Sequence, residues 1–241
     1  MKMASAWHSD RVEEEVRLIR WGHFGQPVLV FPTAGGDAEE IERQGLIDAL
    51  GCLIQSGRIK VFSLDSIAGR SWLRRDNPRH SMWLQNRFDE VIYREVVPAI
   101  RADCQSPGIE IISAGASIGA FNAVASLCRH PGDFRAAIGM SGTYDLTGWL
   151  GGEWSDDFYY SSPLHYLPGL GSEAVLAQLR SRFVVLATGQ GRWEDAGETW
   201  KLAQVLGAKA IPNRVDVWSG QHDHDWPTWR EMLPLYLDDL A

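Results

Sequence analysis

The sequence predicts an α/β fold: a mostly parallel central sheet with helices on both faces. Short continuous runs of Val, Ile, Leu and Phe recur along the chain, as strands buried on both faces do. Segments with apolar residues at helical spacing separate those runs, and this alternation predicts parallel strands joined by crossover helices. One junction, Ile109 to Cys128, reads as strand, tight turn and helix around Gly115-Ala116-Ser117-Ile118-Gly119.

Taken in order, Arg11 to Arg20 alternates Val12, Val16 and Leu18 with charges, the pattern of an antiparallel, half-exposed edge strand. Pro27 to Phe31 is a buried strand, followed by the glycine-bearing loop Pro32 to Asp37. Leu46, Ile47, Leu50, Leu53 and Ile54 share one face of a helix predicted over 39–55, which Gly57 ends. Ile59 to Leu64 is the next strand, and a loop is expected over 65–82. Phe88, Val91, Ile92, Val96 and Ile100 mark an amphipathic helix over 84–102. The Ile109 strand and a helix to about Arg129 follow, then strands at Phe134 to Met140 and Val184 to Ala187. Thr199 to Leu206 reads as helix, Arg214 to Trp218 as the last strand and Trp226 to Leu240 as the closing helix. Ser141 to Leu170, rich in Gly, Asp, Pro and aromatics, interrupts the rhythm and reads as an insertion over the sheet's carboxyl edge, a cap or lid. No repeat, low-complexity tract or linker divides the chain, so one domain is expected over 1–241.

Composition narrows the function classes. With 241 residues, 45 % apolar and 22 % charged, the chain can bury a substantial core. A net charge of −8 with no basic run argues against a nucleic-acid surface. No stretch is long and apolar enough to span a membrane, and the N-terminus lacks the apolar core of a secretory signal. Cys52, Cys104 and Cys128 cannot all pair and form no Cys-x-x-Cys. They read as core thiols in a reducing compartment, which implies a cytoplasmic location.

The chemistry is concentrated around Ser117. A strand, G-x-S-x-G and a helix in immediate succession form the context of a nucleophile elbow, where a strained turn lifts a serine hydroxyl above the sheet end. Glycines two residues either side remove the Cβ atoms that would clash as the chain doubles back. A serine hydroxyl needs a base within hydrogen-bond reach. In the α/β-hydrolase order that base follows the last strand, where Ser219-Gly220-Gln221-His222-Asp223-His224-Asp225 offers His222 and His224. The acid follows the preceding strand, where Asp195 is the first choice and Glu194 the alternative. Oxyanion donors fall on the amides of Ile118 and of Ala34 or Gly35. The paired histidines lack a third ligand cluster, so neither metal nor cofactor is expected. Eleven tryptophans are unusual, and Trp72, Trp154, Tyr159 and Trp193 are candidates to line an apolar substrate groove.

Five stretches together resemble a known family: Pro-Val-Leu-Val-Phe-Pro-Thr-Ala-Gly-Gly, Asp65 with Ser71-Trp72, Gly-Ala-Ser-Ile-Gly-Ala, Met-Ser-Gly-Thr-Tyr-Asp-Leu, and His224-Asp225-Trp226-Pro227-Thr228-Trp229. They are similar to the α/β-hydrolase esterases that include S-formylglutathione hydrolases, feruloyl esterases, polyhydroxybutyrate-depolymerase-like enzymes and mycolyltransferases. The resemblance runs from about residue 7 to the C-terminus. It implies Ser117 as nucleophile and His224 rather than His222 as base. The family's short glycine-to-aspartate spacing is not reproduced between Gly191 and Glu194, so Glu194 stays beside Asp195 as acid. The expected function is a cofactor-independent serine carboxylesterase acting through an acyl-enzyme on a small-molecule ester or thioester. An acyltransferase using the same triad and a non-catalytic binding protein are the alternatives, and a homo-oligomer is compatible with the sequence.

Overall fold

The computed structural model describes residues 1–241. Eight strands form one sheet: β1 (Lys2–Ser9), β2 (Glu14–Trp21), β3 (Gln26–Phe31), β4 (Ile59–Leu64), β5 (Ile111–Ala116), β6 (Phe134–Met140), β7 (Phe183–Thr188) and β8 (Asn213–Val217). Their order is β1-β2-β4-β3-β5-β6-β7-β8. β2 runs antiparallel to both β1 and β4, and every other pair is parallel.

Alternation along the buried strands assigns side chains to two cores. Leu29 and Phe31 of β3 face one side with Phe62, Ile111 and Leu186, while Val28 and Val30 face the other with Val61, Ile112 and Val185. The helices are α1 (Glu40–Arg43), α2 (Leu46–Ala49), α3 (Gly51–Gln55), α4 (Ile67–Arg74), α5 (Pro78–Val91), α6 (Val97–Asp103), α7 (Ile118–Arg129), α8 (Asp156–Ser161), α9 (Pro163–Tyr166), α10 (Glu173–Leu179), α11 (Ala196–Ala208) and α12 (Trp226–Leu240). Residues from α4, α5, α6, α7 and α11 cover the first face, and residues from α1, α2, α3 and α12 cover the second. None of these helices is long and apolar enough to cross a membrane.

Four sequence expectations are corrected. The strand expected over Arg11 to Arg20 begins at Glu14, after a turn in which Ser9 O accepts from the amides of Val12 and Glu13. It is not the edge. That place belongs to β1, whose small and polar residues carry no apolar alternation and which is held by its ladder to β2. The helix expected over 39–55 is three short pieces, broken at Gly45 (φ +75°) and at Leu50. The loop expected over 65–82 contains α4 and the start of α5, where the Asn77 side chain caps the His80 amide at 3.1 Å and Pro78 occupies the first turn. The helix expected over 84–102 is interrupted by a π-helical turn at Ile92–Val96, which ends two residues before Pro98, a residue with no amide to continue the ladder.

The segment 141–170 is tied to the first core by Tyr144, Leu146, Leu150, Phe158 and Leu167, all buried. Helix α10 follows it, in a stretch where the sequence reading placed no element.

Candidate active site

Parallel strands β3, β5, β6, β7 and β8 all end at one edge of the sheet, and the loops leaving them carry the candidate residues. Ser117 sits between β5 and α7 with φ +57° and ψ −123°, a region that non-glycine residues avoid. Such a residue costs of the order of 1–3 kcal/mol and persists only where its surroundings over-determine it. Here they do. The Ser117 amide donates to Met140 O at 3.0 Å, and its carbonyl accepts from the amides of Ala120 and Thr143, each at 3.1 Å. The flanking glycines are required sterically: a Cβ on Gly119 would lie 2.5 Å from Phe31 O, and one on Gly115 would lie 2.3 Å from Gly119 C. Although Ser117 occupies the position before α7, its hydroxyl makes no capping bond and stays available at the helix N-terminus.

The expected oxyanion donors are free of competing partners: the amides of Ile118, Ala34 and Gly35 make no hydrogen bond within the chain. The loop that carries Ala34 and Gly35 is fixed from both ends. Glu40 accepts from the Thr33 amide at 2.8 Å and from its hydroxyl at 2.6 Å. Buried Asp65 accepts from the Ala38 amide at 2.9 Å. Beneath the loop, a Cβ on Gly69 would lie 3.1 Å from both Cα and O of Ala34, so the approach of α4 depends on that glycine.

The loops after β7 and β8 are joined by backbone bonds. Gly191 donates to His222 O at 3.0 Å and His224 to Arg192 O at 3.0 Å, while the Arg192 guanidinium holds Asp223. This pairing places His224 half-buried, its ring edge-on to Trp229 with centroids 5.2 Å apart. Burial pulls the imidazole pKa below its ordinary value of about 6.5, and the nearby negative charges of Glu194 and Asp225 oppose that shift. Neutral imidazole, the form able to accept a proton, is therefore favoured near neutral pH.

Glu194 is directed inward. Trp193, in a left-handed conformation (φ +66°), turns the chain so that Thr188 donates to one Glu194 carboxylate oxygen at 3.0 Å and Ser141 donates to the other. Both hydroxyls are buried, at the ends of β7 and β6. The Trp229 indole N–H donates to Ser141 Oγ at 2.9 Å, so one side chain contacts both the histidine ring and the carboxylate's support.

The first-choice acid, Asp195, is elsewhere engaged. It caps α11, accepting from the Gly197 amide at 2.8 Å, because aspartate one residue before a helix is a favoured N-cap. His222 is also engaged elsewhere, with Nδ1 3.0 Å from Ser219 Oγ and Nε2 3.3 Å from Glu231. Two of the candidate groove residues are misplaced for that role. Trp72 is 1 % exposed and donates to Gln85 at 3.0 Å inside the core. Trp193 is 88 % exposed, the counterpart of the turn that sends Glu194 inward. Trp154 is exposed and packs edge-on against Phe158 and His165. Tyr159 is half-buried, edge-on to Tyr160. Ser141, Thr188 and Trp229 were not singled out as site residues from the sequence. Only their positions, at two strand ends and in the first turn of α12, connect them to the site.

No protein-family model matches the sequence, and no curated protein does. Solved structures do match. A ferulic acid esterase superposes with a TM-score of 0.74 at 16% identity, covering 100% of this chain and 97% of that one. The S-formylglutathione hydrolase FrmB from Staphylococcus aureus matches with a TM-score of 0.62 at 12% identity, covering 100% and 96%. The enterobactin esterase FES from Shigella flexneri matches with a TM-score of 0.71 at 17% identity, covering 99% of this chain and 59% of that one. With its sheet order, its elbow between β5 and α7 and these neighbours, the chain has the α/β-hydrolase fold expected from its sequence.

Proposed function

We propose that this protein is a serine hydrolase that cleaves carboxylic esters or thioesters through an acyl-enzyme, with Ser117, His224 and Glu194 as its triad. The observation that carries the reading is Ser117 itself: a strained residue, locked by three backbone bonds and two obligatory glycines, whose hydroxyl has no structural task.

In this reading His224 accepts the Ser117 proton as the oxygen attacks the substrate carbonyl. The amides of Ile118 and of Ala34 or Gly35 take the charge developing on the carbonyl oxygen. Glu194 holds the imidazole in the tautomer that receives the proton and stabilises the imidazolium. His224 then returns the proton to the leaving alcohol or thiol, and water repeats the sequence to release the acid. Anchored in the core by its buried aromatics and leucines, the 141–170 segment is a fixed wall of the site in this proposal. Support for the ester class comes from three structural neighbours whose names are those of esterases or a thioester hydrolase.

The test is Ser117→Ala assayed on a p-nitrophenyl ester, with a fluorophosphonate probe alongside. Turnover should fall by ~10³-fold or more and labelling should vanish. A variant that retains wild-type turnover would remove Ser117 from the mechanism, and wild-type protein inert to the probe would favour a non-catalytic role.

A further inference from the structure

The loops after β7 and β8 continue the pairing of those strands beyond the sheet edge. Trp218 donates to Thr188 O at 2.8 Å, Gln190 to Ser219 O at 3.3 Å and Gly191 to His222 O at 3.0 Å, and the His224 amide returns to Arg192 O at 3.0 Å. Two glycines make that approach possible. A Cβ on Gly189 would overlap His222 O, and one on Gly191 would overlap Asp223 Oδ1 and lie 2.6 Å from His222 O. Neither glycine has a left-handed φ, so space rather than backbone freedom requires them.

A clasp sits in that space. Arg192 alone supplies three donors to the Asp223 carboxylate: its amide reaches Oδ1 at 2.6 Å, while Nε and Nη2 reach Oδ2 at 2.8 and 2.7 Å. An exposed ion pair contributes little to stability by itself, and the Arg192 side chain is 81% exposed. The place of this pair matters more than its energy, because one partner is bonded to backbone and adjoins His224. Asp223 precedes the histidine, and Asp225 follows it, capping α12 by accepting from the Thr228 amide at 3.1 Å. The imidazole between them has no hydrogen bond within the chain; burial and the charges of Glu194 and Asp225 are what act on it. Its location is therefore set by the backbone that carries it, which Asp223 fixes on one side and Asp225 on the other.

We propose that Arg192 and Asp223 are positioning residues for His224: their clasp, seated against Gly191, holds the imidazole in place to take the Ser117 proton. The proposal rests on the esterase reading in taking His224 as the base. Neither residue touches substrate in it, so loosening the clasp costs kcat and spares KM.

Three variants open the clasp by different means. Gly191→Ala drives a methyl group into Asp223 with every charge in place, Arg192→Met removes the guanidinium, and Asp223→Asn removes the carboxylate charge. Each should lower kcat on a p-nitrophenyl ester by about 10-fold with KM nearly unchanged, a smaller loss than the ~10²-fold that a displacement of about 1 Å can cause. Arg192→Lys, which keeps the charge without the forked grip, should fall between Arg192→Met and the wild type. A second readout needs no turnover: the titration of the His224 imidazole, followed by NMR. Burial holds that imidazole below its ordinary value, so a loop released toward water should raise its pKa in Gly191→Ala, and the acid limb of kcat/KM should follow to higher pH. Should Gly191→Ala fail to fold, Arg192→Lys carries both readouts. Wild-type kcat in the variants together with an unmoved imidazole titration would overturn the clasp. Ser117→Ala in the same assay separates the two proposals. If it keeps its turnover, the esterase reading falls, and the titration of His224 alone decides whether the clasp positions that ring.

Discussion

Glu194 and Asp195 are adjacent carboxylates with different tasks, and the difference is one of backbone direction. Trp193 adopts a left-handed conformation, which sends Glu194 onto the buried hydroxyls of Thr188 and Ser141 and leaves Asp195 to cap α11. Replacing each separates the roles. Glu194→Gln should lower kcat by about 10³-fold, since an amide can present its N–H₂ to the imidazole and favour the wrong tautomer. It should also move the acid limb of the kcat/KM profile. Burial holds the His224 imidazole below its ordinary value, and the Glu194 charge, with that of Asp225, opposes that shift. Removing the charge lowers the imidazole pKa further, so the limb moves to lower pH. An upward or absent shift would show that Glu194 does not act on His224. Asp195→Ala should leave the pH profile in place and cost about 1 kcal/mol of stability, the loss expected of an N-cap, measured by urea unfolding.

At the scale of elements, the Thr33 end of the loop between β3 and α1 is held by one side chain. Glu40, the first residue of α1, reaches back to both the amide and the hydroxyl of Thr33. Glu40→Gln keeps the shape but weakens both bonds, so the proposed donors at Ala34 and Gly35 lose their fixed placement. The expected result is a kcat reduced about 10-fold with KM nearly unchanged, because the donors act on charge that exists only in the transition state. A rise in KM alone would assign Glu40 to substrate binding. This same region marks how far the sequence could be read. Buried strands such as Pro27 to Phe31 and Ile59 to Leu64 were legible because their apolar runs need no partner to be recognised. Ser117 and His224 could be proposed from the sequence because strand order and chain order set where the turn after β5 and the loop after β8 fall. β1 was not, since its residues carry no apolar alternation and the ladder to β2 alone holds it. The breaks at Gly45 and Leu50 were hidden because a continuous helical face survives them; at Gly45, Arg230 of α12 lies against the turn and donates to Gln44 O at 3.1 Å. The different directions of Glu194 and Asp195 turn on one φ angle at Trp193, which residue identity does not encode.

Across the whole molecule, the proposed site is built at the expense of stability, and Ser117 is where that opposition can be measured. Its φ and ψ fall where glycine is at ease and other residues are strained by roughly 1–3 kcal/mol. Every surrounding contact acts to hold that geometry: the backbone bonds to Met140, Ala120 and Thr143, and the packing of Gly119 on Phe31 O. Ser117→Gly releases the strain. It also loosens the unfolded chain, which offsets about 0.5–1 kcal/mol of the gain. The net expectation is a variant more stable by about 1 kcal/mol, which for a chain of this size raises Tm by ~2–4 °C, with esterase turnover abolished. Ser117→Ala is the control, since it removes the same hydroxyl but keeps a Cβ in the strained position. It should be equally inactive and no more stable than the wild type. Thermal unfolding of the three proteins side by side distinguishes the effects: if glycine confers no advantage over alanine, the turn is not strained, and the conformation of Ser117 is not held against its own preference.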